Sequence, residues 1–145
     1  MANFKTLMKL SWTSLKISIA GAKLSHLVQT DKIWDHGSMA EQARIIFYLV
    51  YKAKTSGNIE SLRKQCTISC FEKIKAEMKE RSEHKTVINL VIKEIAITEV
   101  QPGRNNRSDM FCALIKGILK DEGKFRSQCS FVRQGEWWML NEIKT

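Results

Sequence analysis

The sequence lacks the motifs that mark most enzymes and metalloproteins. It has no glycine-rich phosphate loop, no paired-carboxylate catalytic motif, no Ser/His/Asp order and no Cys/His spacing typical of a metal site. Its four cysteines, Cys66, Cys70, Cys112 and Cys129, include no CxxC pair. We therefore expect buried free thiols in a reducing compartment, no metal and no cofactor, and we favour binding over catalysis.

Long apolar runs and N-terminal acidic residues are also missing. No stretch approaches the roughly 18 apolar residues of a membrane-spanning helix, so the chain as given is not expected to cross a bilayer. Residues 1–30 contain four lysines and no acid, whereas residues 31–145 contain 20 basic and 15 acidic side chains. The first fifth of the chain therefore carries +4 of the net +9. This excess favours contact with phosphate or anionic lipid, with simple solubility as the alternative.

Residues 3–28 are predicted to form a basic amphipathic helix. At about 100° per residue, four lysines fall on one stripe and an apolar arc adjoins it. The lysines are Lys5, Lys9, Lys16 and Lys23, and the arc contains Phe4, Leu7, Met8, Trp12, Leu15, Ile19 and Ala22. Such a helix can lie in a membrane interface, with the lysines and Trp12 at an anionic surface. The alternatives are a helix packed on its own domain with a solvated lysine stripe, and a removable targeting segment.

Helices are predicted at the start of residues 31–145. A capping box that begins at Ser38 opens a helix over residues 39–54. Asn58 then caps a short helix, and Thr67 caps a longer one whose outer side is rich in lysine and glutamate. That lysine and glutamate pattern is typical of a solvated helix face.

Four strands follow, because the apolar period changes from helical to alternating near Val87. The first strand runs to Gln101 with a bulge near Lys93, where the apolar phase shifts by one residue. Residues 110–120 form the second strand, and residues 125–143 form a closing hairpin. Helices followed by an antiparallel meander give an α+β layout, with the helices against one face of the sheet.

The closing hairpin, residues 125–143, is expected to carry the largest apolar side chains of the sheet. A tight turn at Gln134-Gly135 would pair Arg133 with Glu136. One face then carries Cys129, Phe131, Trp138 and Leu140, with Phe131 opposite Trp138 and Cys129 opposite Leu140. This face is predicted to pack on the helices. Trp137 points to the opposite face, which we expect to serve a partner or a second layer.

The order of these elements and two motifs resemble a known family. Three helices, a long bulged strand and a meander ending in Trp-x-Leu are similar to the cone of the nuclear transport factor 2-like superfamily. Residues 34–67, with Ser56-Gly57-Asn58 before Leu62-Arg63, resemble the domain of mitochondrial import inner membrane translocase subunit 44 and its bacterial relatives. The ending FVRQGEWWML resembles the closing strands of that domain, although Cys129 stands where relatives commonly carry a large aromatic residue.

The resemblance implies a cone in which three helices pack on a curved four-stranded antiparallel sheet, preceded by the basic helix. It also implies a non-catalytic binding or tethering module with a protein partner, cytoplasmic or peripheral at the inner face of a membrane. The alternatives are a small apolar ligand-binding protein and a lyase or isomerase of the same superfamily. A ligand cavity in the cone would be lined by Phe47, Tyr51, Phe131, Trp138 and Leu140.

Two further roles carry less weight. An enzyme on this cone would need a buried acid, histidine or tyrosine, and the candidates are Tyr48, Tyr51, His84, Glu94, Glu99 and Asp109. We interpret Tyr48, Tyr51, His84 and Asp109 as structural residues, and catalysis is the less favoured hypothesis. Nucleic acid is not expected as a partner, because the loop with Arg104 and Arg107 lacks a recognised reading motif or an aromatic stacking platform. A homodimer through the outer sheet face remains a further hypothesis.

Overall fold

The helices precede the strands along the chain, as the change of apolar period predicts. The computed structural model describes residues 4–80, 90–104, 107–120 and 123–144, without the side chains of residues 4–11 and 80. The helices are α1 (Phe4–Leu27), α2 (His36–Ser56) and α3 (Ile68–Glu80), with 3-10 turns at Lys32–Trp34 and Glu60–Leu62. The strands are β1 (Leu90–Gln101), β2 (Met110–Leu119), β3 (Gly123–Gln134) and β4 (Trp137–Lys144). They form one antiparallel sheet in the order β1-β2-β3-β4, so the fold is α+β.

Helix α2 begins three residues earlier than the capping box predicts. The Asp35 carboxylate, rather than the Ser38 hydroxyl, caps the helix by accepting the Ser38 N–H at 2.9 Å. At the other end, Gly57 takes φ +79° and donates its N–H to the Ala53 carbonyl, which closes the helix. The buried stripe between these caps is Met39, Ala43, Ile46, Phe47, Val50 and Ala53.

The connection from α2 to α3 is tighter than predicted. It contains a single 3-10 turn, Glu60–Leu62, and the predicted cap at Asn58 is wrong, since Ile59 occupies the cap position without a side-chain bond. The cap at Thr67 is confirmed, because its hydroxyl accepts the Cys70 N–H at 3.3 Å. This tight connection brings residues 65–67 to the edge of β4.

Residues 65–67 close part of the β4 edge. The Leu140 N–H donates to the Gln65 carbonyl at 2.8 Å, and the Thr67 N–H donates to the Leu140 carbonyl at 2.9 Å. On the same edge, the Trp138 N–H donates to the Gln42 side-chain oxygen at 3.1 Å. A free strand edge can pair with another chain. These bonds occupy two N–H groups and one carbonyl of β4 that such pairing would use.

Strand β1 contains the predicted bulge and one more. The register with β2 shifts between Ile92 and Glu94, which confirms the bulge at Lys93. A second shift, between Ile97 and Glu99, leaves Thr98 as the extra residue. Its hydroxyl donates to the Cys112 carbonyl at 3.4 Å and accepts from the Gln128 amide at 2.8 Å, so side-chain bonds replace the lost ladder contacts.

The register of the closing hairpin differs from the prediction. Gln134 pairs with Trp137, which places the two-residue loop at Gly135 and Glu136. Gly135 has φ +63°, and a glycine is favoured at the first loop position of a tight hairpin turn because it adopts positive φ without strain. Phe131 therefore pairs with Leu140 instead of Trp138.

The predicted faces survive this shift because the partners of Phe131, Val132 and Arg133 each move by two positions. A further register shift between Ser130 and Phe131 pairs Cys129 with Ile143 instead of Leu140, and Cys129 is still buried. Phe131, Trp138 and Leu140 are all buried in the core. Phe131 stacks on Phe111 at 4.8 Å between ring centroids, and Trp138 meets Phe111 edge-on at 4.8 Å. The inner face of the sheet thus packs under α2 and α3, while α1 lies against β1.

Candidate functional site

One side of α1 carries exposed large apolar side chains beside lysines. Trp12, Leu15 and Ile19 are 59%, 48% and 48% exposed. Lys16 and Lys23 are exposed on the same side of the helix. We call these five residues the outward face of α1.

An adjoining side of α1 supplies its contacts with the domain. Ala20 and Leu24 are buried in the core, and Ile17 and Leu27 are half-buried. These residues recur at helical spacing and point towards β1. The helix therefore packs through a stripe that the sequence prediction did not select, and it leaves the described part of the predicted apolar arc uncovered.

The outward face is positively charged. Among the residues with described side chains, neither Lys16 nor Lys23 has an acidic partner within ion-pair distance. The Lys16 ammonium lies 5.8 Å from the Trp12 ring centroid, within the range of a cation–π contact. Lys5 and Lys9 lie in the helical backbone of α1, but their side chains are outside the described part.

The residues predicted to line a cavity in the cone lie in the apolar core. Phe47, Phe131, Trp138 and Leu140 are buried, and Tyr51 is half-buried. Phe47 contacts the Tyr51 ring at 5.0 Å and stacks on Phe125 at 5.6 Å. Trp138 also meets Trp34 at 5.2 Å, so these rings contact one another in the interior.

A groove of about 450 Å³ lies on the other side of α2, against the first residues of β1. It is lined by Arg44, Ile45, Tyr48, Leu49, Leu90, Val91 and Ile92. Ile45, Tyr48 and Val91 are each about half exposed, at 50%, 48% and 50%. The sequence prediction did not include this groove. The available signal was the position of Ile45 and Tyr48, two large side chains that fall outside the buried stripe of α2.

The catalytic candidates described in the structure do not converge on one site. Tyr48 is exposed in the groove, and Glu94 and Glu99 are exposed on β1, with Glu94 3.8 Å from Lys116. Asp109 accepts the Gly103 N–H at 2.7 Å and thereby holds the β1–β2 loop. His84 lies outside the described residues.

Arg133 joins three parts of the chain at one end of the domain. Its guanidinium donates to the Asp31 carboxylate at 2.6 Å and to the Asp109 carboxylate at 3.0 Å. It also donates to the Gly135 carbonyl at 2.8 Å. The hydrogen bond from Arg133, followed by the one from the Ile33 N–H, holds the pKa of Asp31 below its ordinary value of 3.8.

Replacing Arg133 with methionine is expected to lower the free energy of unfolding by about 1–2 kcal/mol, because two half-buried carboxylates lose a charged donor. The Asp31 pKa is lower in the folded protein than in the unfolded chain, so its contribution is complete above that ordinary value and is lost as the pH falls through the folded-state pKa. Urea denaturation of both proteins between neutral and acidic pH should therefore show the difference shrinking in acid.

Arg44→Met is the matched control for this prediction. Arg44 forms an exposed pair with Glu41 at 3.5 Å, and loss of such a pair is expected to change stability by about 0.5 kcal/mol or less. An effect of Arg133→Met that stays constant with pH would show that the carboxylates do not depend on this arginine.

The four cysteines are free, as the sequence predicts. Cys66, Cys70 and Cys129 are buried, and Cys112 is half-buried. Burial raises the pKa of the Cys129 thiol to about 12. A hydrogen bond between the two thiols, and then burial, raise the pKa of Cys66, while the same bond lowers that of Cys70.

No set of three or more His, Cys, Asp or Glu side chains in the described ranges is arranged to hold a metal ion.

Comparison with known proteins assigns no family. No family model, no curated protein and no solved structure matches this chain. Within the described residues, no helix combines the length and the apolar character needed to cross a bilayer. The geometry alone supplies the candidate surfaces, which are the outward face of α1 and the groove between α2 and β1.

Proposed function

We propose that this protein is a non-catalytic binding module that docks peripherally on anionic membranes through the outward face of α1. The observation that carries the proposal is the exposure of Trp12, Leu15 and Ile19 beside Lys16 and Lys23. A helix that lies in a membrane interface presents this combination, with apolar side chains towards the acyl region and lysines towards the lipid phosphates.

The geometry of α1 supports a helix that lies flat on the membrane. Its inward stripe is already occupied by the domain, so among the described side chains of α1 the large apolar groups open to lipid are those of the outward face. An interfacial helix inserts its apolar side by about 5–10 Å, a depth that side chains such as Trp12 and Leu15 can reach without moving the helix from β1. Each lysine near an anionic surface adds about 1 kcal/mol, so the attachment is reversible.

The tethering role follows the resemblance to the translocase subunit 44 domain and its cone. In this proposal α1 contacts the inner face of a membrane and the rest of the domain holds a protein partner. The outer sheet face supports that role, because Trp137 is 55% exposed there and Val132 pairs with Met139 beside it. A homodimer through the same face is the alternative use of this surface.

The test compares two tryptophans of similar exposure, 59% for Trp12 and 55% for Trp137. Trp12→Ser removes the largest described apolar group from the outward face of α1, and Trp137→Ser removes a similarly exposed ring from the sheet. In co-sedimentation with phosphatidylserine-containing vesicles, Trp12→Ser is expected to bind about tenfold more weakly, because interfacial binding scales with buried apolar area. Trp137→Ser is expected to bind like the unmodified protein.

Vesicles of pure phosphatidylcholine provide the lipid control and should retain little protein. Equal binding of the unmodified protein to both kinds of vesicle would contradict the role of the lysines. Equal binding by Trp12→Ser and the unmodified protein would contradict docking through α1.

A further inference from the structure

The groove between α2 and β1 has the composition of a site for a small amphiphile. Ile45, Leu49 and Ile92 give it apolar walls, and Tyr48 and Val91 extend these walls to the surface. Its volume of about 450 Å³ falls within the range of roughly 300–1,000 Å³ found for small-molecule sites. Adjacent large apolar side chains that are half exposed commonly mark a binding surface.

Among the described residues that line this groove, Arg44 is the one with a charged side chain. Its partner Glu41 lies 3.5 Å away, and both side chains are more than half exposed, at 56% and 60%. A surface pair of this kind contributes little stability, so the guanidinium can exchange it for another carboxylate. Arginine can bind a carboxylate through two parallel hydrogen bonds, which favours an anionic headgroup at this end of the groove.

The β1 bulge argues against an extended peptide in the same place. A peptide that adds to a sheet edge needs a regular row of free backbone groups. In the described part of β1, only Leu90, Val91 and Ile92 precede the bulge at Lys93, so the regular edge beside the groove is short. A flexible acyl chain needs apolar walls and no backbone pairing.

We propose that this groove binds a single long-chain carboxylate, with the acyl chain between Ile45 and Val91 and the carboxylate on Arg44. The site is separate from the outward face of α1. Its ligand is a free fatty acid in solution, and binding does not require docking of α1 on a membrane.

The experiment is isothermal titration calorimetry of the full chain with dodecanoate at concentrations below micelle formation. One-to-one binding is expected, and the double variant Ile45→Gln/Val91→Thr should weaken it at least about tenfold. The matched control is Leu15→Gln/Ile19→Gln, which changes two equally exposed apolar residues on α1 and should leave dodecanoate binding unchanged.

The headgroup is tested with dodecyltrimethylammonium, which has the same chain and the opposite charge. The unmodified protein should prefer dodecanoate by about tenfold, and Arg44→Gln should remove that preference. An unchanged preference in Arg44→Gln would overturn the assignment of the carboxylate to this arginine.

Three other outcomes would overturn the proposal as a whole. The first is the absence of dodecanoate binding to the folded protein. The second is loss of binding in the α1 variant alone, which would place the amphiphile on α1. Sedimentation could instead show a dimer that Ile45→Gln/Val91→Thr dissociates, which would make a second copy of the chain the occupant. Failure of vesicle binding alone concerns the proposed function and leaves this site untouched.

Discussion

Trp138→Ala is expected to lower the free energy of unfolding by about 3–5 kcal/mol. The side chain is buried and meets Trp34 and Phe111 edge-on, so its loss removes contacts from two rings and leaves a cavity between them. The strands around the cavity are fixed by their hydrogen bonds to neighbouring strands, so they can fill the cavity only in part. Chemical denaturation monitored by circular dichroism measures the effect.

The neighbouring residue supplies the control. Trp137→Ala removes the same side chain from the opposite face of β4, where it is 55% exposed, and should change stability by about 0.5 kcal/mol or less. Similar losses for the two variants would contradict the assignment of faces in this strand.

Replacement of Lys5, Lys9, Lys16 and Lys23 by alanine is expected to weaken binding to anionic vesicles by roughly 10³-fold. Each lysine contributes about 1 kcal/mol at an anionic surface, and the four lie on one stripe of α1 by helical spacing. Binding of the unmodified protein should also fall as salt is raised, because mobile ions screen charges in the interface. Vesicle co-sedimentation across a salt series measures both effects.

A second variant with four alanines separates local charge from net charge. Lys52, Lys64, Lys73 and Lys79 are exposed on or near α2 and α3, away from the outward face of α1. Their replacement lowers the net charge by the same amount, yet it should reduce binding much less. Equal loss in the two variants would indicate diffuse attraction by the whole protein instead of docking through α1.

Periodicity was sufficient to predict α2 and the sheet because their apolar pattern and their buried faces coincide, which is not the case in α1. The alternation after Val87 predicted the sheet, and the phase shift near Lys93 predicted its first bulge. The second bulge at Thr98 produced no clear phase change in the sequence. It depends on hydrogen bonds to Cys112 and Gln128, which lie on other strands.

Local capping and turn choices were less predictable, since neighbouring residues compete for them. Asp35 and Ser38 can both cap a helix, and the structure uses Asp35. Gly135 fits either central position of a tight turn, and the hairpin places it first. These errors move an element boundary or a partner without exchanging the buried and exposed faces.

The candidate surfaces depended on tertiary packing that no local pattern contains. The sequence prediction correctly placed Trp12, Leu15 and Ile19 on one side of α1, but only the fold shows that the helix packs through Ala20 and Leu24 instead. Arg133 was predicted only as a hairpin residue facing Glu136, and its two carboxylate partners, Asp31 and Asp109, were not predicted because they lie far away in the chain.

The three bonds of Arg133 also decide how mechanical tension would enter the domain. Asp31 lies shortly after the end of α1, and its carboxylate forms an ion pair with Arg133 of β3. The same guanidinium also pairs with Asp109, the residue before β2. A pull on the segment that follows α1 therefore loads β2 and β3 through Arg133 as well as through the covalent chain. Those two strands pair along their length without a register shift.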